Sequence, residues 1–353
     1  MSDPKGAAAS IAHLAHRYFI WIVVASYVFA AAAPNVGVWL RTTRLASVHT
    51  GIGDLVASAT TMLLAVLLFN AGLFTNVTEA RSLIRRPFVV AAGIIGNFLL
   101  PLTFIAAASV LLRPWHNPDE TQQILTGLAF IAAMPIAGAS TAWAQSASGN
   151  MALSIGLVLA TTLLSPVFTP LVIHGVGMLT TGDYSEDLHE LAGGQAVGFL
   201  GIWVLAPSLL GVGAGRLVPA ILLARFRPFS KLTNYAVIVL LNYANASLSL
   251  PGVVGEPDGD FLAIMLTIVL ALCLTAFAVG YVCARLGRAG RGETASLMFG
   301  LGMNNNGAGL VLASTAMADH ASILLPVILY NLTQHFVAAL VDRCLFPRES
   351  DSV

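Results

Sequence analysis

The stretch F-G-L-G-M-N-N-N-G-A-G, Phe299 to Gly309, lies inside a long apolar run toward the C-terminal end of the chain. Three consecutive asparagines, Asn304, Asn305 and Asn306, stand between Gly302 and Gly307. Each side-chain amide brings two donors and one acceptor. Left unpaired away from water, such a group costs several kcal/mol. A polar knot in the middle of an apolar segment therefore needs both a medium and a purpose.

Composition supplies the medium. The chain is 57% hydrophobic and only 10% charged, with a mean hydropathy of +0.82. Soluble domains carry about 25% charged residues, so composition alone reads as a membrane protein. Cys273, Cys283 and Cys344 sit in apolar surroundings without C-x-x-C spacing. They read as core residues, not as metal ligands or a disulfide. The N-terminus imitates a secretion signal, with Lys5 and Arg17, an apolar core from Tyr18, and Ala30 to Ala33 before Pro34. The apolar stretch is long enough to span and more membrane sequence follows, so it reads as a first transmembrane helix.

Working outward from the asparagines, windows of about 20 apolar residues, enough to cross about 30 Å of hydrocarbon, fall at ten places. They are 18–40, 53–75, 87–112, 122–146, 151–177, 195–223, 232–252, 261–284, 294–318 and 320–346. The connections are short, so residues 1–353 read as one polytopic unit. With the N-terminus inside, all of the 17 basic residues except Arg41, Arg44 and Arg113 fall on the cytoplasmic side. By the positive-inside rule both termini are cytoplasmic. The acidic segments Asp183 to Glu190 and Glu256 to Asp260 read as outer loops.

A weak internal repeat follows. F-N-A-G-L (Phe69 to Leu73) resembles Y-A-N-A-S-L (Tyr243 to Leu248), and M-P-I-A-G-A-S (Met134 to Ser140) resembles M-N-N-N-G-A-G (Met303 to Gly309). S-P-V (Ser165 to Val167) is echoed by L-P-V (Leu325 to Val327). The matches keep order and near-constant separation, pairing spans 1–5 with 6–10. Halves with an odd number of spans must be inverted relative to each other, the layout of many secondary transporters. In such proteins corresponding helices break near the midplane, and the freed carbonyls and helix ends bind ions and substrate. Span four has the breakers Pro135 and Gly138 followed by Ser140 and Thr141; span nine has its glycines around the asparagine triplet. The alternative is a pair of ordinary kinks with amides joining helices.

Every acidic residue maps to a loop, a terminus or a span end, the nearest to a span being Asp54, Glu293, Asp319 and Asp342. A proton relay on buried carboxylates therefore has no candidate. The deep titratable groups are histidines, chiefly His335 in Y-N-L-T-Q-H-F. H-E-x-x-H, G-x-S-x-G and the phosphate-binding loop are all absent. The chain reads as neither an enzyme nor an ATP-driven pump.

At these residues the chain resembles the bile acid:sodium symporter family. The family's P-G-G-x-A-S, R/G-G-N-x-A-L-S and S-P-x-x-T-P motifs match P-I-A-G-A-S (Pro135 to Ser140), S-G-N-M-A-L-S (Ser148 to Ser154) and S-P-V-F-T-P (Ser165 to Pro170). Its second motif, E-x-G-x-Q-N-x-G, matches G-L-G-M-N-N-N-G (Gly300 to Gly307). The resemblance implies an all-α membrane fold of ten transmembrane helices in two inverted five-helix repeats, with helices 4 and 9 broken and crossing. It implies a panel domain from spans 18–75 and 195–252 and a core domain from spans 87–177 and 261–346. Two sodium ions would sit behind the crossing and an organic anion would bind between the domains. One sodium site would use Ser140, Thr141, Ser154 and the Gly300 position, and the other Asn97, Asn304 and carbonyls from Gly300 to Met303. Substrate contacts would fall on Gly138, Asn305, Gln334 and His335.

The sequence departs from the family at Gly300, where the motif carries a glutamate shared by both ions, and at Val158, which replaces a hydroxyl. Loss of that charge in a low-dielectric site is expected to weaken cation binding by several kcal/mol. Half-helix N-termini at the crossing favour a carboxylate or sulfonate, and the family covers bile-acid-like amphipaths, steroid sulfates and small acids such as pyruvate and pantoate. Arsenite carriers use a cysteine in span four and a glutamate in span nine, both missing here. The expectation is thus a secondary active transporter of an organic anion, bile-acid-like or a small carboxylate. Sodium (Na+) would be its coupling ion by family resemblance, and alternating access its mechanism. The alternatives are a sodium-independent organic anion transporter of the same fold, and a non-transporting ligand sensor, disfavoured by the short tail after the last span. Its surroundings are a lipid bilayer, in a bacterial inner membrane in preference to an organelle envelope. Nucleic acid is no partner, and the protein is expected as a monomer or weak oligomer.

Overall fold

A computed structural model describes residues 18–50, 53–75 and 86–347. The basic residues Lys5, Arg17, Arg81, Arg85 and Arg348, used above to orient the chain, lie outside the described residues. In chain order the elements are α1 (Phe19–Ala32), α2 (Asn35–Thr42), β1 (Arg44–Thr50), β2 (Gly53–Ser58), α3 (Ala59–Leu73), α4 (Pro87–Leu111), α5 (Pro118–Ala132) and α6 (Ala139–Ser146). There follow α7 (Met151–Gly177), α8 (Asp183–Glu190), π-helical turns at Leu191–Gln195 and Leu200–Leu205, α9 (Ala206–Leu217), α10 (Ala220–Ala246) and α11 (Leu250–Gly255). The chain ends with α12 (Gly259–Leu286), α13 (Arg291–Gly302), α14 (Asn306–Ala316), a 3-10 turn at Ala321–Ile323 and α15 (Leu324–Leu345).

Among the described residues, five helical stretches are long and apolar enough to cross a membrane: Pro87–Leu111, Met151–Gly177, Asp183–Leu217, Gly259–Leu286 and Ala321–Leu345. A sixth is the pair α1 and α2, bent by 95°. The exposed residues Ile95 and Leu99 on α4, Leu163, Val167 and Leu171 on α7, and Leu266, Leu270 and Leu274 on α12 recur every four positions. They form apolar stripes on the outer faces of these helices, where a soluble protein would place polar groups. The chain is a multi-pass, all-α membrane protein.

The remaining expected windows differ from the helices in ways that local chemistry explains. Window 18–40 bends at Ala33–Pro34, because proline has no N–H with which to continue the ladder of α1. Window 53–75 begins as a strand: β2 pairs antiparallel with β1, Thr50 opposite Gly53 and His49 opposite Asp54. The helix starts only at Ala59, where Ser58 accepts from the Thr61 N–H at 3.2 Å and the Thr61 hydroxyl accepts from the Ser58 N–H at 2.8 Å. The 15 residues of α3 cover only about 22 Å. Asp183 to Glu190, expected as a loop, is helix α8. Arg225, Arg227 and Lys231, also expected in a loop, lie within α10. Of the cysteines, Cys273 is buried as a core residue is, but Cys344 is exposed.

The chain divides into two compact units, Met1–Thr75 with Gly198–Pro257, and Asn76–Val197 with Asp258–Val353. In the first, α9 lies directly against α3. Any Cβ at Gly211 would collide with the Phe69 carbonyl, and one at Gly72 with the Ser208 carbonyl, so these helices touch through backbone. Asn70 donates to Asn234 at 2.9 Å, linking α3 to α10, and the Tyr243 hydroxyl donates to the Ala33 carbonyl at 2.6 Å. In the second unit α5 and α14 are the innermost helices; nearly every residue from Ile124 to Ala137 and from Ala308 to Ser314 is buried. Helix α5 starts with an Asn117 cap, Pro118 at its first position and Asp119 and Glu120 in its first turn. Helices α4, α7, α12 and α15 pack around this pair.

Candidate functional site

Two helices of the second unit are broken at the expected places. One break runs from the end of α5 at Ala132 to the start of α6 at Ala139, and the other from the end of α13 at Gly302 to the start of α14 at Asn306. Pro135 cannot donate, and the backbone freed around it needs partners that lipid does not offer. Each break supplies them for the other. Ile136 and Asn304 form an antiparallel bridge, with the Ala137 N–H donating to the Met303 carbonyl and the Asn305 N–H to the Pro135 carbonyl, both at 2.9 Å.

Flanking helices hold this junction. The Thr161 hydroxyl of α7 accepts from the Ile136 N–H at 3.2 Å, and the Gln334 side chain of α15 accepts from the Asn304 N–H at 3.1 Å. Thr169 donates to the Ala133 carbonyl, and the Tyr330 hydroxyl to the Gly302 carbonyl. Gln334 is buried, whereas His335 is half-buried and projects about 100° further round α15.

The amides are arranged in a common way. Asn97 of α4 donates its amide nitrogen to the Met134 carbonyl at 3.2 Å, and Asn304 donates to the Ile131 carbonyl at 2.8 Å. Both nitrogens are thereby tied to the C-terminal end of α5, and both side-chain oxygens are left buried without a hydrogen-bond partner among the described residues. The hydroxyls of Ser140 and Ser154 and both polar atoms of the Asn306 side chain share that condition. Buried polar groups are normally paired, and an unpaired one costs about 1–3 kcal/mol. A set of buried neutral oxygens is what a hard monovalent cation coordinates.

The helix ends add fixed partial charges. Helices α5 and α13 bring their C-terminal, negative ends to the junction, while α6 and α14 begin there with their positive ends. Asn305 caps α14, its side chain accepting from the Ala308 N–H at 3.3 Å. Gly138 caps α6 with no side chain, and a Cβ there would meet nothing within 4 Å. Thr141 donates its hydroxyl to the Gly138 carbonyl at 2.7 Å. One junction thus offers a cation-favouring and an anion-favouring side.

Position 300 is different in character. A Cβ on Gly300 would lie 3.6 Å from Ile136 Cδ1 and from Leu157 Cδ1. Both side chains belong to a buried apolar cluster with Val89, Leu153, Ala284 and Leu297, against which Val158 packs. Of the expected cation ligands, Asn97, Met303 and Asn304 are joined at the junction by hydrogen bonds, Ser140 and Thr141 follow it on α6, and Ser154 and Gly300 flank the apolar cluster on α7 and α13. Of the expected substrate contacts, Gly138, Asn305 and Gln334 reach the junction. Thr161, Asn306 and the carbonyls of Ile131 and Met134 join the site without having been expected there. Asn306 lay within the asparagine triplet, but nothing local in the sequence distinguishes carbonyls 131 and 134 from their neighbours. Among the described residues no group of three or more His, Cys, Asp or Glu side chains converges.

Comparison with known proteins agrees with this geometry. Residues 61–255 match the model of the sodium bile acid symporter family. The chain is 27% identical to the uncharacterized protein YbaS of Bacillus subtilis over 286 residues, covering 80% of this chain and 86% of that protein. It is 26% identical over 320 residues to YocS, an uncharacterized sodium-dependent transporter of the same organism, covering 89% and 86%. A probable chloroplastic sodium/metabolite cotransporter, BASS2 of Oryza sativa subsp. japonica, is 24% identical over 296 residues, covering 83% and 62%. With more than half its length matched by the family model, this membrane chain with its two paired helix breaks belongs to the sodium bile acid symporter family, a family of transporters and not of enzymes.

Proposed function

We propose that the chain is a sodium-coupled secondary transporter of an organic anion, with ten spans in two inverted halves, working by alternating access. The observation that carries this reading is the paired break. Buried, unpaired oxygens of Asn97 and Asn304 sit with the C-terminal end of α5, while helix N-termini begin at the same junction. The sodium-dependent and sodium/metabolite names of two relatives support the coupling ion. In this reading Asn97, Ser140, Thr141, Ser154, Asn304 and the carbonyls of Gly300 to Met303 serve the cation. Gly138, Asn305, Gln334 and His335 serve the anion. The two compact units correspond to panel and core domains, and both termini face the cytoplasm of a bacterial inner membrane.

A sodium-independent variant of the same function draws on one specific observation, the hydrocarbon around Gly300 in place of a carboxylate. Uptake into proteoliposomes separates the two. Pyruvate, pantoate and taurocholate are offered under an inward sodium gradient and under potassium. Sodium-driven accumulation of at least one is expected, and Asn304→Ala and Asn305→Ala are expected to abolish it while the protein still reaches the membrane. Normal uptake by both variants would remove the site assignment; equal uptake in potassium would replace coupling with sodium-independent transport.

A further inference from the structure

We infer that the transported anion supplies the negative charge that this chain's cation site lacks, so that sodium and anion bind as a mutually dependent pair. The inference rests on the proposed function and specifies the order of events at the same junction. Every side-chain oxygen left for the cation, on Asn97, Asn304, Ser140 and Ser154, is neutral, and each of these residues is at most 2% exposed. Glu293, Asp342 and Glu120, on the surrounding helices, lie about two turns or more along those helices from the junction residues. Glu293 pairs with Arg86 at 3.4 Å and accepts from the Gly290 N–H at 3.1 Å, about two turns before Gly300 on α13. Asp342 accepts from Ser146 at 3.2 Å through one oxygen and leaves the other buried and unpaired, but it lies about two turns beyond Gln334 on α15. Glu120, at the opposite end of α5 from the junction, accepts from Trp115 at 2.7 Å and from Asn117 at 2.6 Å. Position 300 holds no side chain and faces Ile136 and Leu157.

A cation placed on neutral oxygens in a low-dielectric site keeps its full charge. The nearest positions that favour a compensating negative charge belong to the same junction, at the N-termini of α6 and α14. There both polar atoms of the Asn306 side chain are themselves buried and unpaired. The cation-favouring and anion-favouring ends are separated only by the residues that pair in the bridge between Ile136 and Asn304. Opposite unit charges within about 8 Å at an effective dielectric of about 20 change each other's affinity about 30-fold. By linkage the effect is equal in both directions. Where a fixed carboxylate would let sodium bind first and alone, this site admits the two charges together.

The test is apparent thermal unfolding of the purified full chain in detergent, titrating NaCl against KCl at constant ionic strength. It is run without organic anion and then with pyruvate, pantoate or taurocholate. The wild type is expected to show no sodium-specific rise alone, and sodium affinity about 30-fold tighter with the effective anion than without it. Gly300→Glu is expected to gain a saturable sodium-specific rise without any anion, and Gly300→Gln to gain none. If Glu at 300 is too large beside Leu157, Gly300→Glu/Leu157→Ala provides the room and carries the same expectation. A saturable sodium effect on the wild type that the anion leaves unchanged would overturn the inference while preserving sodium coupling. An anion that stabilises equally in sodium and potassium would overturn the sodium-coupled reading itself.

Discussion

Asn97→Leu separates a binding role from a structural one. Asn97 is 1% exposed, its nitrogen donates to Met134, and its oxygen is unpaired. Losing the donated hydrogen bond costs about 0.5–1.5 kcal/mol, while removing the unpaired buried oxygen returns about 1–3 kcal/mol. Leucine keeps the branching but is bulkier, adding about 1–3 kcal/mol of overpacking. These terms partly cancel, so the ion-free protein should gain no more than about 1.5 kcal/mol or lose no more than about 3.5 kcal/mol. With the effective anion already saturating, sodium at 100 times its dissociation constant adds about 2.7 kcal/mol to the wild type. Asn97→Leu should gain none of it. With about 2.1 cal/mol/K of unfolding entropy per residue over 353 residues, that gain is a shift of about 4 °C, read as apparent unfolding temperature by intrinsic tryptophan fluorescence in detergent. A variant that keeps the full ligand-dependent shift would refute the assignment of its oxygen to the cation. One that loses more than about 4 kcal/mol without ligand would show Asn97 to be a packing residue.

Two further substitutions probe the scaffold. Gly211→Leu should force α9 away from α3, because its Cβ would meet the Phe69 carbonyl, whereas Gly213→Ala, with nothing within 4 Å, should be neutral; gel filtration in detergent and unfolding temperature distinguish them. Thr161→Val should cost about 1–3 kcal/mol, since it leaves the buried Ile136 N–H without its acceptor at 3.2 Å; an unchanged unfolding temperature would mean that Thr161 does not hold the junction.

The sequence announces the breaks more clearly than what they face. Pro135 and Gly138 interrupt α5–α6, and the glycines with Asn304 to Asn306 interrupt α13–α14, through backbone chemistry that is local. The long spans are equally legible, α4 and α7 agreeing with their apolar windows almost to the residue. Elsewhere hydropathy alone misleads. Residues 44–50 and 53–58 pair as antiparallel strands, but the apolar run beginning at Gly53 looks like the start of a span. The π-helical turns at Leu191–Gln195 and the kink at Gly194, with φ of 153°, leave the apolar content unchanged and so escape a window search. The Gly300 departure from the family motif is plain in the sequence. Its surroundings are not, because Ile136 and Leu157 come from other helices and only the fold brings them to it.

The same fold explains why so many polar groups can remain unpaired. Each orphaned oxygen at the junction raises the energy of the ligand-free protein by about 1–3 kcal/mol. That cost is tolerable because the backbone around it is fully engaged: Ile136, Ala137, Asn304 and Asn305 all donate their N–H groups across the junction or to α7 and α15. The rigidity sits in the main chain and the unsatisfied capacity in the side chains. Ligands that satisfy those side chains therefore stabilise a geometry already in place. Because both breaks share the hydrogen bonds that hold them, neither break can shift without moving the other. In the proposed mechanism, with no carboxylate at position 300 to fix a cation independently, that shared backbone and the charge of the anion are the two physical links between cation and anion binding.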